Sequence, residues 1–371
     1  MRCLMNIPYV DLAKQHAPMK EKLLEAIGKV LDDGKFILGE EVAEFEQRFA
    51  QLCGAQWAVA VNSGTDALIL ALKALGIGAA SEVITVANSF VSSTSCIVLA
   101  GAKPVFVDVG EDYLIDPSLI EKAITSKTKA LLPVHLTGRP ADMNAIMAIA
   151  KKHKLAVIED CAQAVSAEYR GQKVGTFGDV GCFSLHPLKT LNACGDGGVL
   201  TTNDKDLYEK ILTLHDNGLY RRNECIYWSN NSRLDTIQAA MLLVKLNYLE
   251  AWTEARRSNG YFYRQHLKDL PQVQVPAEEN SMRAVYHTFI INVDRRDELQ
   301  EFLSEKGIGT KVHCGVPIHL QPVAKELGYK KGSLPVTEWQ AQRVLSLPVA
   351  QSLEREMLDY VVNAIRDFYQ K

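Results

Sequence analysis

Apolar residues fall in short unbroken runs through the first half of the chain. Trp57–Val61, Glu82–Val86, Pro104–Asp108, Thr128–Val134 and Leu155–Asp160 each read as a buried strand, and Val180–Leu185 and Val199–Thr202 add two more. Between them the spacing turns helical. Val42, Phe45, Phe49 and Leu52 share one face of a helix over Glu40–Leu52. Further helices are predicted from Asn62 to about Leu75, after Asn88–Phe90, and over Ala141–His153. Ahead of all these, residues 8–33 read as an extended entry and then a helix, Met19–Leu31, with Gly34–Gly39 as a turn-rich break. Continuous apolar strands alternating with helices argue an α/β fold whose mostly parallel sheet is sandwiched by helices.

Past Asn203 the pattern is helical. Asn230–Asp235 caps an apolar helix, Ile237–Leu249, and a charged helix follows, Glu250–Leu267. Beyond Pro271 the chain reads as a smaller α+β unit: strand Val285–Val293, helix Asp297–Lys306, loop His313–Pro322 and a last helix from about Leu353. The expected division is a large domain over residues 1–250 and a small C-terminal domain over 251–371. The N-terminal segment is a candidate to pack with the small one.

Composition narrows the class. The chain has 371 residues, 47% hydrophobic and 23% charged, with a formal net charge of −3. No long basic run appears, which argues against nucleic acid as the main partner. No apolar stretch approaches membrane-spanning length, and the N-terminus lacks the apolar core of a signal peptide. The eight cysteines, Cys3, Cys53, Cys96, Cys161, Cys182, Cys194, Cys225 and Cys314, are scattered without a CxxC pair. Reduced thiols and a cytoplasmic protein are the expectation.

The candidate chemistry sits at the ends of the runs, where a parallel sheet places its functional residues. Lys189 lies in a Gly-rich connection between two strands, beside Gly195, Gly197 and Gly198. Taken alone it reads first as a surface lysine; in this place it is also a candidate Schiff-base amine. Ser63 precedes a helix with Asp66 three residues on, a capping-box pattern. A strand, a Gly-containing turn and a helix start can also seat a phosphate, though a plain capped helix has the same signature. Asp160 ends a buried strand and needs a cationic partner, either a structural Arg or Lys or a protonated pyridine nitrogen. Phe90, by itself an ordinary core aromatic, follows another strand. No GxGxxG or GxxxxGK[ST] occurs. A helix-start phosphate site, a strand-end acid, an aromatic and a loop lysine are together the groups that hold pyridoxal phosphate. His313 and His319, with Cys314, match no metal-ligand spacing, so no metal is expected.

With these motifs in hand the sequence resembles the DegT/DnrJ/EryC1/StrS sugar aminotransferases, within the fold-type I pyridoxal-phosphate transferases. The resemblance rests on Val61–Leu68, Pro133–Gly138, Ile158–Ala164, Phe183–Gly198, Asn231–Asp235 and Ile318–Pro322. It implies that Lys189 forms the Schiff base and moves the proton, and that Asp160 pairs with the pyridine N–H. It places Gln163 by the ring, Phe90 stacked on it, and Gly64, Thr65 and Ser184 on the phosphate. Asn231 would reach the phosphate of a neighbouring subunit, so the active unit is a homodimer with sites at the interface. His313 and His319 line the acceptor pocket, unless they are loop histidines bonded to backbone. The implied reaction moves an amino group from an amino acid, with L-glutamate as the expected donor, to a nucleotide-linked keto-deoxysugar. A keto-inositol aminotransferase, a sugar dehydratase or a non-catalytic regulator on the same scaffold are the alternatives. Lys189 argues against the dehydratase, in which histidine stands there, while His186 nearby keeps it open. No arginine is singled out for the donor carboxylate.

Overall fold

The computed structural model describes residues 5–277 and 281–370, so Cys3 and the first residues of the N-terminus lie outside it. The apolar runs form one seven-stranded sheet: β1 (Trp57–Val61), β2 (Glu82–Val86), β3 (Lys103–Val107), β4 (Thr128–Leu131), β5 (Ala156–Asp160), β6 (Val180–Ser184) and β7 (Gly198–Thr202). Their spatial order is β1-β7-β6-β5-β4-β2-β3. Only β7 runs antiparallel to its neighbours, β1 and β6; the other pairings are parallel. Every residue of β2 and β7 is buried, as a sheet covered on both faces requires.

The two faces have separate cores. On one side, helix Gly64–Ala74 packs on β5, β6 and β7, where Leu68 and Leu72 share a core with Ile158, Cys182 and Leu200. On the other, Phe45 and Phe49 of helix Glu40–Cys53 cover the sheet, and Phe49 meets Phe183 edge to face at 5.0 Å. A third core lies in the C-terminal part. There β8 (Val273–Gln274), β9 (Phe289–Val293) and β10 (Val344–Leu347) form an antiparallel sheet with β9 in the centre. Helix Arg355–Gln370 packs on it through Leu358, Val361, Val362, Ile365 and Phe368, a helical stripe. Helix Leu249–Leu267 joins the cores: Leu249 belongs to the core that holds Phe183, while Phe262, Tyr263 and Leu267 belong to that of the C-terminal sheet. The N-terminal segment crosses to this part too, where Ile7 N–H donates to Gly307 O and Gly309 N–H to Ile7 O, both at 2.8 Å. No helix among the described residues is long and apolar enough to cross a membrane.

Four local expectations are corrected. The extended entry contains a short helix, Leu12–His16, because the Asp11 carboxylate accepts the Lys14 N–H at 2.8 Å. The strand expected over Val285–Val293 begins only at Phe289. Tyr286 takes a positive φ of 46°, and Val285 N–H is drawn off to Gly138 O at 2.9 Å. Helix Pro335–Arg343 and strand β10 carry no distinct sequence signal and were not expected. The capping box is half formed: Ser63 Oγ accepts the Asp66 N–H at 3.1 Å, but the Asp66 carboxylate takes the Ser232 hydroxyl at 2.6 Å.

Candidate active site

The loops leaving β1, β2, β5 and β6 at the carboxyl edge of the sheet enclose a cavity of about 590 Å³, a size suited to a cofactor with part of a substrate. Ser63, Gly64 and Thr65 form one wall. With Asp66 N–H held by Ser63, the amides of Gly64 and Thr65 are left without intrahelical acceptors. Space here is set by close approach. A Cβ on Gly64 would stand 2.7 Å from Ser184 Cβ, and one on Gly198 would meet the Ser63 carbonyl. The helix start, the end of β6 and the start of β7 are thereby pressed together around free N–H groups, a ready anion seat.

Adjacent residues on β5 point to opposite faces. Glu159 turns away from the cavity, where its carboxylate accepts the amides of Gly175, Phe177 and Gly178 at 2.8–2.9 Å and meets His135 Nε2 at 3.0 Å. Asp160 turns toward it and is only 4% exposed. Ser93 Oγ donates to one of its oxygens at 2.7 Å and Ala162 N–H to the other at 3.1 Å. Among the described residues no cation forms an ion pair with it, so the buried carboxylate has donors but no directly paired cation.

Lys189 enters from the connection between β6 and β7. That connection is braced from below: Ala193 N–H donates to Leu185 O and Cys194 N–H to Gln238 Oε1. The buried Lys245 ammonium donates to both the carbonyl and the side-chain oxygen of Asn192, which in turn holds Lys189 O at 3.0 Å. The Lys189 amine itself has no hydrogen-bond partner among the described residues. Burial pulls its pKa below the usual lysine value, against the opposing charge of Asp160.

Gln163 also lines the cavity, fixed by Thr137 N–H donating to its Oε1 at 2.6 Å. Phe90 stands at the rim, 67% exposed. His313 lines the wall with Nδ1 against Ser346 Oγ at 2.7 Å; burial and then the Lys189 charge lower its pKa. His186 lines the mouth. Two expected residues are not in this cavity. His319 is a correction: it is buried against Glu338, with Nε2 3.0 Å from Oε1, behind the wall. Asn231 lies on the surface, where its carbonyl accepts Asn62 Nδ2 at 3.4 Å. Sequence reasoning missed Ser93, Tyr9, Arg256 and His287, all cavity-lining. Ser93 follows Phe90 in a run of small hydroxyl residues, a signal that was there to be read; the others arrive from distant segments.

His135, Glu159 and Cys161 come together in a way that could suggest a metal. Their atoms are already committed. His135 Nδ1 accepts Ala141 N–H at 3.0 Å, its Nε2 faces Glu159, and burial pushes the Cys161 thiol well up, away from the thiolate a metal takes.

The residues fit pyridoxal phosphate. The amides beside Ser184 suit its phosphate, the counter-charge missing at Asp160 suits its ring N–H, and the unpartnered amine of Lys189 suits its aldehyde. Comparison with known proteins points the same way. A protein of Geobacillus stearothermophilus named pleiotropic regulatory protein is 43% identical over 369 residues, covering 99% of each chain. The UDP-N-acetyl-3-dehydro-alpha-D-glucosamine 3-aminotransferase of Acidithiobacillus ferrooxidans is 42% identical over 361 residues, 97% of each chain. The crystal structure of Streptomyces venezuelae DesV in complex with a ketimine intermediate superposes with a TM-score of 0.97 at 40% identity, covering 99% of both chains. The family profile matches residues 18–366, and the chain belongs to the DegT/DnrJ/EryC1/StrS aminotransferase family.

Proposed function

We propose that this chain is a pyridoxal-phosphate-dependent aminotransferase that moves an amino group from L-glutamate to a nucleotide-linked keto-deoxysugar, and that it works as a cytoplasmic homodimer. The observation that carries the reading is one cavity holding an unpartnered, half-buried lysine amine and a buried carboxylate without a cation. The cofactor, when bound, supplies an aldehyde and a ring that stabilises negative charge on the substrate carbon.

The chain's own groups do the rest. Gly64 and Thr65 amides with the Ser184 hydroxyl hold the phosphate at the helix start. Asp160 keeps the proton on the ring nitrogen, and Ser93 and Ala162 keep Asp160 in place. Phe90 would cover one face of the ring and Gln163 would hold its edge. Lys189 would take the proton from the donor's α-carbon, and burial shifts its amine toward the neutral form that this work needs. His313 lies on the acceptor side. Asn231, exposed on the surface, contributes to the phosphate site of a second copy. The seven described cysteines are all unpaired, in keeping with a reducing compartment. The name of the Acidithiobacillus relative supports carbon 3 as the aminated position. A purely regulatory role would leave both Lys189 and Asp160 without work.

The test is an absorbance spectrum of the protein with pyridoxal phosphate, before and after L-glutamate. A visible band that bleaches with glutamate and returns with a 3-keto nucleotide sugar is expected. A protein that binds the cofactor and responds to no amino acid contradicts the reading.

A further inference from the structure

One cation in the cavity wall has no part in that reaction scheme. Arg256, on helix Leu249–Leu267, is 4% exposed and borders the cavity. Its Nε donates to Gln351 Oε1 at 3.0 Å, and Nη1 donates to the carbonyls of His287 at 3.2 Å and Tyr286 at 3.5 Å. Nη2 has no partner among the described residues, and no carboxylate there pairs with the guanidinium. Burial without a counter-charge brings its pKa down to about 10, so it stays cationic at neutral pH. A buried, positively charged fork with one open edge is an unmet demand for an anion.

Two further polar atoms beside it are unmet. The Tyr9 hydroxyl is buried and makes no directed hydrogen bond. It lies near Ser346, whose Oγ faces His313 Nδ1, and near the Arg256 charge. Burial raises its pKa, so it is a donor at any working pH. His287 Nδ1 is also buried and unpartnered. The charges of both Lys189 and Arg256 act on this imidazole. Arg256, His287 and Lys189 thus border one cavity.

We propose that Arg256, with the Tyr9 hydroxyl, seats the α-carboxylate of the amino-acid donor; this rests on the aminotransferase reading above. The α-carboxylate is the anion attached to the carbon that Lys189 must deprotonate, so its seat has to be near that lysine. A guanidinium edge gives a carboxylate two parallel donors and fixes the plane of the carbon between them. The Tyr9 hydroxyl adds a third donor from the N-terminal segment. His287, with its unpartnered Nδ1, borders the same cavity.

The test uses the pyridoxal-phosphate-loaded protein and 2-methylglutamate, which has the donor's amine and carboxylates but no α-proton to lose. Its dissociation constant is read from the change in the cofactor spectrum, without turnover. Arg256→Met should weaken it by about tenfold or more, and Arg256→Lys by less. Tyr9→Phe, which removes only a hydroxyl with no directed bond, should weaken it by about threefold, and this decides the matter if the arginine variants do not fold. 2-Methylalanine, which keeps only the α-carboxylate, should lose affinity in the same proportion. Affinity for the aminated nucleotide sugar should stay within about twofold of wild type. Unchanged binding of 2-methylglutamate in Arg256→Met and Tyr9→Phe overturns the proposal. So does a loss confined to the aminated sugar, which assigns the seat to the acceptor, or a loss absent for 2-methylalanine, which assigns it to the side-chain carboxylate. Wild-type protein that binds 2-methylglutamate but never converts glutamate leaves the seat standing and sinks the aminotransferase reading instead.

Discussion

A lysine can take a proton from carbon only while it is uncharged. At Lys189 burial favours the neutral amine and Asp160 opposes it, with burial the larger effect. The pair is thus coupled through the cavity. Asp160 needs a positive partner, and the ring nitrogen of the cofactor would give it one. With that charge met, less of the aspartate field is left to hold the lysine protonated. Replacing Asp160 by Asn should keep the cofactor but lose its charge control. We expect turnover with glutamate to fall by about 10²–10⁴-fold, as for removal of a group that supports proton transfer. Single-turnover absorbance traces would show this, and near wild-type rates would mean that another acid serves the ring. The wild-type profile carries a matching sign: activity should rise with pH through a value below the usual lysine range, since the folded protein has lowered the Lys189 pKa. Both residues were legible in the sequence because each closes or follows an apolar run, and a charged group in such a place needs a reason. Arg256, Tyr9 and His287 were not, since their demand for an anion exists only once three distant segments meet.

At the scale of elements, the phosphate seat depends on how closely helix Gly64–Ala74 approaches the end of β6. Gly64 is there for lack of a side chain: its Cβ would be 2.7 Å from that of Ser184. Gly64→Ala should push the helix start away from Ser184, weaken pyridoxal phosphate binding by about tenfold, and cost about 1–3 kcal/mol as an overpacked contact. Titration of the cofactor band measures the first effect and thermal unfolding the second; full cofactor affinity in this variant would mean that the phosphate sits elsewhere. The large sheet was readable because its strands are local apolar runs, each closed by a turn. The later elements failed for a physical reason. The first turn of helix Pro335–Arg343 is held by Asp108, whose carboxylate accepts the amides of Val336 and Thr337 at 2.8 and 2.9 Å. A cap supplied from the end of β3 leaves no capping residue in the local sequence. The expected strand Val285–Val293 is largely apolar, yet its first half is claimed by Gly138 and Thr137 and becomes cavity wall.

At the scale of the molecule, the cavity takes walls from both ends of the chain, because Tyr9 and His313 reach it only when the N-terminal segment pairs with Ile308. Several large apolar side chains are exposed near the segment that carries Asn231. Trp228 is 95% exposed, and Tyr220 and Ile226 beside it and Phe36, Ile37 and Leu38 are all open. Ile37 pairs with Asp235 and Asn231 with Asp216, so these apolar groups flank the segment that carries Asn231. Exposed large apolar side chains on either side of one segment fit a protein interface better than water. If a second copy covers it, Asn231 is carried toward that copy's phosphate seat, and assembly and cofactor binding become linked by mass action. Trp228→Asp should then shift the protein from dimer to monomer and weaken pyridoxal phosphate binding in the same variant. Asn231→Ala should leave the dimer intact and weaken only the cofactor, by about tenfold for one lost bond to a charged phosphate. Sedimentation velocity at several protein concentrations, run beside the cofactor titration, reads both. A wild-type monomer with full cofactor affinity would remove Asn231 from the site and leave the phosphate to Gly64, Thr65 and Ser184 alone.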